Sequence, residues 1–182
     1  MNWIGLWTLI KREVGRFLSV YKQTILPGVI SSGLYIVVFG FTLEQRISEI
    51  NGVPYTLFIL PGLIMMTTLS NATSNTASSM LQMKLLQQLP DLLTAPLSGF
   101  EISFAYIVGG ALRGFINGLM VIFVGVLLID MPVQNIWGTL GFIFLVSWAF
   151  ASMGLLLGQL ADTWDHLATM QNFFLTPLSF LR

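Results

Sequence analysis

Arg113 stands near the middle of an otherwise uncharged apolar run, Ile102 to Ile129, and is the first residue whose placement demands a chemical explanation. Insertion scales charge about 2.5–3.5 kcal/mol for an arginine at the centre of a membrane helix, so something must offset it. Two readings are open. The guanidinium faces a polar pathway, or it is a structural tie to a neighbouring carbonyl. Gly110, Gly114 and Gly118 recur around it at four-residue steps, a small-residue ridge that lets another helix approach closely, and Gly154 and Gly158 make a shorter one. Upstream, Ser70 to Ser79 is built only from Ser, Thr, Asn and Ala. Such a surface is unfavourable against lipid, so Ser70, Asn71, Ser74 and Asn75 either line a pathway or pack against other helices through hydrogen bonds.

Reactive groups are otherwise scarce. The chain has no cysteine and a single histidine, His166, which removes disulfide, thiolate and Cys/His metal chemistry. His166 lies beside Asp162 and Asp165, where a hydrated turn explains all three. No acidic residue falls near the middle of an apolar run, which argues against a proton-coupled secondary carrier. There is no G-x-x-x-x-G-K-[ST], and the lysines are Lys11, Lys22 and Lys84, so ATP hydrolysis on a P-loop of this chain is excluded.

These residues must be positioned by membrane helices. Of 182 residues, 55% are hydrophobic and 9% charged, against roughly 25% charged in soluble domains. Eight Lys+Arg balance eight Asp+Glu, so no basic field exists to hold nucleic acid. A span needs about 20 apolar residues. Residues 23–43, 53–77, 102–129 and 136–160 qualify, and 167–182 reads as a fifth span cut short by the chain end. The expectation is an all-α polytopic membrane protein, one domain over 1–182. The first two spans share a phrase, "ILPGVI" and "ILPGLI", read as two uses of one helix-entry device, since proline at a helix start loses little.

Ahead of the first span, within 1–22, Trp3, Trp7, Ile10, Val14, Phe17 and Tyr21 recur at helical spacing, and Arg12, Arg16, Ser19 and Gln23 lie on another face. This pattern predicts an amphipathic helix lying on membrane lipid. A cleaved signal is disfavoured, because Lys11, Arg12 and Arg16 follow the apolar stretch instead of preceding it. Loop charge then sets orientation. Lys11, Arg12, Arg16, Lys22 and Lys84 fall on one side and Arg46 on the other, which predicts a cytoplasmic N-terminus.

Between the second and third spans, residues 82–97 are too short to cross a membrane and too apolar for a free loop. Leu85, Leu86, Leu89, Leu92 and Leu93 fall at helical spacing, predicting one short helix with a leucine-rich face. Pro96 closes it, and Ser98 with Glu101 forms a capping-box pattern that starts the next span. Such a helix suits either contact with a soluble partner or rest on lipid.

In order along the chain, the amphipathic opening, "FILPGLIMM", "NTASSM", "LPDLLTAPLS", "GGALRG" and "LTPLSFL" resemble the permease subunits of ABC-2 type bacterial ABC transporters. The resemblance implies an inner-membrane permease that pairs with a second permease, as a homodimer or otherwise, and binds a cytoplasmic ABC ATPase. ATP and Mg would sit on that partner, leaving this chain without a cofactor or catalytic residue. It further implies that Leu85, Leu86, Leu89, Asp91, Leu92 and Leu93 belong to the coupling segment, with the N-terminal helix beside it as an interface helix. Two features depart from the family pattern. Pro90 and Asp91 stand where an acidic residue usually precedes the paired leucines, and the chain ends inside the fifth of six spans, with Arg182 at a position of glycine. A truncated remnant that binds partners without transporting is the alternative expectation.

Overall fold

The apolar periodicity folds into helices throughout. A computed structural model describes residues 2–24, 26–40, 49–50, 52–129 and 135–180. Helix α1 runs Trp3–Ser19, α2 Tyr21–Thr24 and α3 Leu26–Tyr35, the last continuing through one wider π-type turn, Ile36–Gly40. Strands β1 (Glu49–Ile50) and β2 (Val53–Pro54) pair antiparallel around Gly52, whose φ of +79° suits glycine. Then follow α4 (Tyr55–Leu85), α5 (Leu89–Thr94), α6 (Gly99–Ile129), α7 (Ile136–Leu160) and α8 (Trp164–Phe180).

Among the described residues, α4, α6 and α7 are long and apolar enough to cross a membrane. The protein is therefore all-α and polytopic. The expected first span, 23–43, is helical wherever it is described, with residues 25 and 41–43 outside the described set, as are Arg46 and Arg182. Helices α4 and α6 have 31 residues each, roughly 46 Å at 1.5 Å per residue, and so extend beyond a hydrocarbon layer about 30 Å thick.

Helix α4 is the centre of the bundle, with α6 and α7 packed against it and against each other. The glycine ridges make this possible. A Cβ on Gly114 would sit 2.7 Å from the Cβ of Ala72 and 2.9 Å from the Thr68 carbonyl, and one on Gly158 would sit 2.6 Å from the Ala77 carbonyl. Gly110 meets Thr76 and Gly118 meets Thr68 in the same way. The polar half of α4 is thus clasped between two glycine-bearing helices. Helix α1 lies across this bundle with Leu6 and Leu9 in a cluster that includes Met80, Met83, Leu92, Ala105, Tyr106 and Leu155.

The structure corrects two sequence expectations and adds a buried face on α1. The two Leu-Pro-Gly phrases are not the same device: Pro27 is the second residue of α3, but Pro61 lies inside α4, where it withholds the bond to the Leu57 carbonyl. The buried face of α1 is Leu6, Leu9, Glu13 and Phe17; Trp3, Trp7 and Tyr21 of the expected apolar face are exposed, available to lipid, and only Phe17 of that face is buried. Finally, Leu85 to Leu93 is not one helix. Pro90 cannot donate to the Leu86 carbonyl, and the chain instead ends α4 with Gln87 in the left-handed region (φ +56°). The Gln88 amide donates to the Met83 carbonyl at 3.0 Å and the Gln87 amide to that of Lys84 at 3.1 Å, a closing Schellman pattern. Helix α5 begins afresh at Leu89.

Candidate functional site

The amphipathic spacing of α1 sets Glu13 one turn beyond Leu9 on the buried stripe, where its side chain has no solvent exposure. It reaches that place because Gly109 of α6 lacks a side chain: a Cβ there would lie 2.8 Å from the Cβ of Glu13. A buried carboxylate must be paired and hydrogen-bonded. Arg12 Nη2 donates to Glu13 Oε1 at 2.9 Å, the Ser79 hydroxyl of α4 donates to Oε2 at 2.6 Å, and Arg16 Nε stands 3.6 Å from Oε2. Both oxygens are taken.

The network continues on either side. Arg12 Nη2 also donates to the Tyr106 hydroxyl of α6 at 2.9 Å. Burial lowers the Arg12 pKa, but Tyr106 and Glu13 more than reverse this and hold it above the usual arginine value, so the guanidinium stays charged. Arg16 Nη2 donates to the Asn75 carbonyl at 2.9 Å and to its Oδ1 at 3.0 Å. Arg113 Nη1 reaches the same Oδ1 at 3.3 Å. Three arginines and one carboxylate therefore join α1, α4 and α6 through Asn75, Ser79 and Tyr106.

This arrangement places each expected residue. Arg113 and Asn75 come together, and Gly110, Gly114 and Gly118 set the helix spacing that allows it. Ser70, Asn71 and Ser74 are half-buried on α4, with Asn71 Nδ2 bonded to the Thr67 carbonyl at 2.9 Å. A second polar cluster forms where Gly28 of α3 approaches: Asn117 Oδ1 would lie 3.1 Å from a Cβ there, and the hydroxyls of Ser32 and Thr67 are 3.4 Å apart. Glu13, Tyr106 and Asn117 escaped the sequence reading, and Ser79 is legible there only as the end of the polar stretch. For Glu13 the signal existed, since Leu6, Leu9, Glu13 and Phe17 step by three and four.

The leucines of the segment divide. Leu92 is buried and Leu89 packs against the same cluster, while Leu85, Leu86 and Leu93 are exposed, Leu93 by 66%. The segment is held from both sides. Ser98 and Glu101 form the capping box, with the Ser98 amide donating to Glu101 Oε2 at 2.7 Å and the Glu101 amide to Ser98 Oγ at 3.3 Å. The Asn2 amide donates to the other oxygen of Glu101 at 2.6 Å, which ties the start of α1 to the start of α6. On the opposite side, Lys84 Nζ donates to the carbonyls of Gln159 and Ala161 at 2.9 and 2.6 Å and to Asp162 Oδ1 at 3.1 Å. A lysine at the carboxyl end of α7 is also favoured by the helix dipole. Asp165 and His166 are exposed in the first turn of α8. Among the described residues, no group of three His, Asp or Glu side chains is placed to hold a metal ion.

A family model described as ABC-2 type transporter matches residues 5–182. The chain is 34% identical over 182 residues to the inner membrane transport permease YadH of Escherichia coli (strain K12), covering 100% of this chain and 71% of that protein. It is 23% identical over 181 residues to nodulation protein J of Sinorhizobium fredii (strain NBRC 101917 / NGR234), covering 99% of this chain and 68% of that protein. A nodulation protein J of Rhizobium leguminosarum bv. viciae is 23% identical over 182 residues, covering 100% of this chain and 69% of its own length. No solved structure matches at a significant level.

Proposed function

The chain belongs to the ABC-2 type transporter family, and from that premise we propose that it is the permease subunit of an ATP-driven exporter, coupled to a separate cytoplasmic ABC ATPase. Its homologue is an inner membrane permease, and its own apolar helices fit that membrane. In this reading ATP and Mg are held by the ATPase, and a second permease, identical or related, completes the pathway. The N-terminus and α5 face the cytoplasm.

One observation supports the coupling role most directly. Helix α5 is a short, exposed element clamped between two long spans, beside α1, with leucines left over after its own packing is satisfied. Leu92 and Leu89 anchor it inward, while Leu93 and Leu85 remain for a partner. A force applied there reaches α4 through the cap at Gln87 and Gln88, α7 through Lys84, α6 through Ser98 and Glu101, and α1 through Asn2. This is what a lever between a soluble engine and a membrane pathway requires.

The test is co-purification of the permease with an ABC ATPase encoded beside it. Apolar anchors at interfaces typically cost about 2 kcal/mol or more on truncation, about thirtyfold in affinity. Leu85→Ala with Leu93→Ala should therefore release the ATPase from membranes while the permease stays inserted. Undiminished recovery of the ATPase would remove the coupling role from this segment.

A further inference from the structure

A cavity of about 310 Å³ opens between α1 and the carboxyl end of α4. Arg12 and Arg16 line it on one side, Gln82 and Gln88 supply amides, and Met83 with Leu86 form an apolar wall. We propose that this cavity seats the phosphate of a membrane phospholipid headgroup. The inference goes beyond the transport reading and does not depend on it.

Charge is the first argument. Glu13 is fully committed to Arg12, Arg16 and Ser79, so two guanidiniums face the cavity against one carboxylate that is already shared between them. Among the described residues, neither Arg12 nor Arg16 has a hydrogen-bond partner for its Nη1, and Arg113 adds further positive charge through Asn75. Guanidinium forks match the oxygens of a tetrahedral phosphate.

Location is the second argument, and it separates a lipid from a protein carboxylate. The outer face of α1 exposes Trp3, Ile4 and Trp7, with Lys11 Nζ 5.6 Å from the Trp7 ring centre. Tryptophans with basic neighbours are the signature of a helix lying at the level of the headgroups. A phospholipid offers phosphate to the arginines and acyl chain to Met83 and Leu86 at once, while the tryptophans on another face of α1 hold the helix at headgroup depth. An acidic side chain of a soluble partner satisfies only the first of these.

The purified full chain in detergent is titrated with phosphatidylglycerol, with diacylglycerol of the same chains and with inorganic phosphate, and adducts are counted by native mass spectrometry. Phosphatidylglycerol should be retained and diacylglycerol lost, with inorganic phosphate too weak to compete. Gln82 is exposed at the cavity edge and its side chain has no role in the Glu13 network. Gln82→Lys should tighten retention about fivefold and Gln82→Glu weaken it about fivefold, the effect of one charge beside an anionic headgroup. Equal retention by wild type and both variants would overturn the assignment. Inorganic phosphate binding as tightly as the lipid would overturn the lipid as source. Charge-dependent recovery of an ATPase with unchanged lipid retention would give the cavity to a protein carboxylate instead.

Discussion

The hydroxyl of Ser79 donates a 2.6 Å hydrogen bond to the carboxylate of Glu13, joining the end of the polar stretch of α4 to the buried face of the surface helix α1. The two residues are far apart in sequence, and Gly109 provides the gap through which they meet. Any movement of α1 must therefore carry α4 with it or break a buried charged bond.

Glu13→Ala should destabilise the protein by about 2 kcal/mol, below the roughly 3–5 kcal/mol of a fully buried pair because Arg12 and Arg16 keep some contact with water. Glu13→Gln, which keeps a bond to Ser79, should cost less. Thermal unfolding of the two variants in detergent orders them, and equal loss from both would mean that the charge carries the whole effect and the neutral bond to Ser79 none of it.

Gly114→Ala should cost about 1–3 kcal/mol, because its methyl group meets Ala72 and the Thr68 carbonyl and forces α6 away from α4. Gly15→Ala on α1 meets nothing within 4 Å and should gain about 0.5–1 kcal/mol from helix propensity. The opposite signs are read by unfolding midpoints. Equal effects would show that packing does not govern Gly114.

Arg113→Leu should leave insertion and abundance intact, since it removes a costly charge to which the described residues offer one side-chain bond, at 3.3 Å. Asn75→Ala should be worse by about 1–2 kcal/mol, because Arg16 and Arg113 both lose an acceptor. The comparison is made on expressed, membrane-inserted protein. If Arg113→Leu also keeps its stability but abolishes export in a reconstituted transporter, the arginine serves the pathway.

A topology reporter fused at Lys84 should be cytoplasmic and one at Glu49 external, because the basic residues of the loops gather on the side of α1. Both reporters on one side would refute the orientation and the span assignment together.

By itself the sequence settled the class of molecule and most of its elements. Long uncharged runs leave backbone groups no alternative to helix, so α4, α6 and α7 were legible from length and composition. The Ser98 and Glu101 cap was legible too, being a local bond between residues three apart. What the sequence could not settle is which way side chains turn once helices meet. The tryptophans of α1 read as a lipid-facing stripe, but spacing alone did not show that the face with Leu6, Leu9 and Phe17 packs into the bundle and carries Glu13 inward to charged partners. The leucines of residues 85–93 look equivalent, but the cap at Gln87 and the restart before Pro90 bury Leu92 and leave Leu93 outside. Arg113, Asn75 and Arg16 acquire one another only when α1, α4 and α6 converge, because their bonds join positions 38 and 59 residues apart. Hydrogen bonds of that reach are decided by helix packing, and packing is a property of the whole bundle.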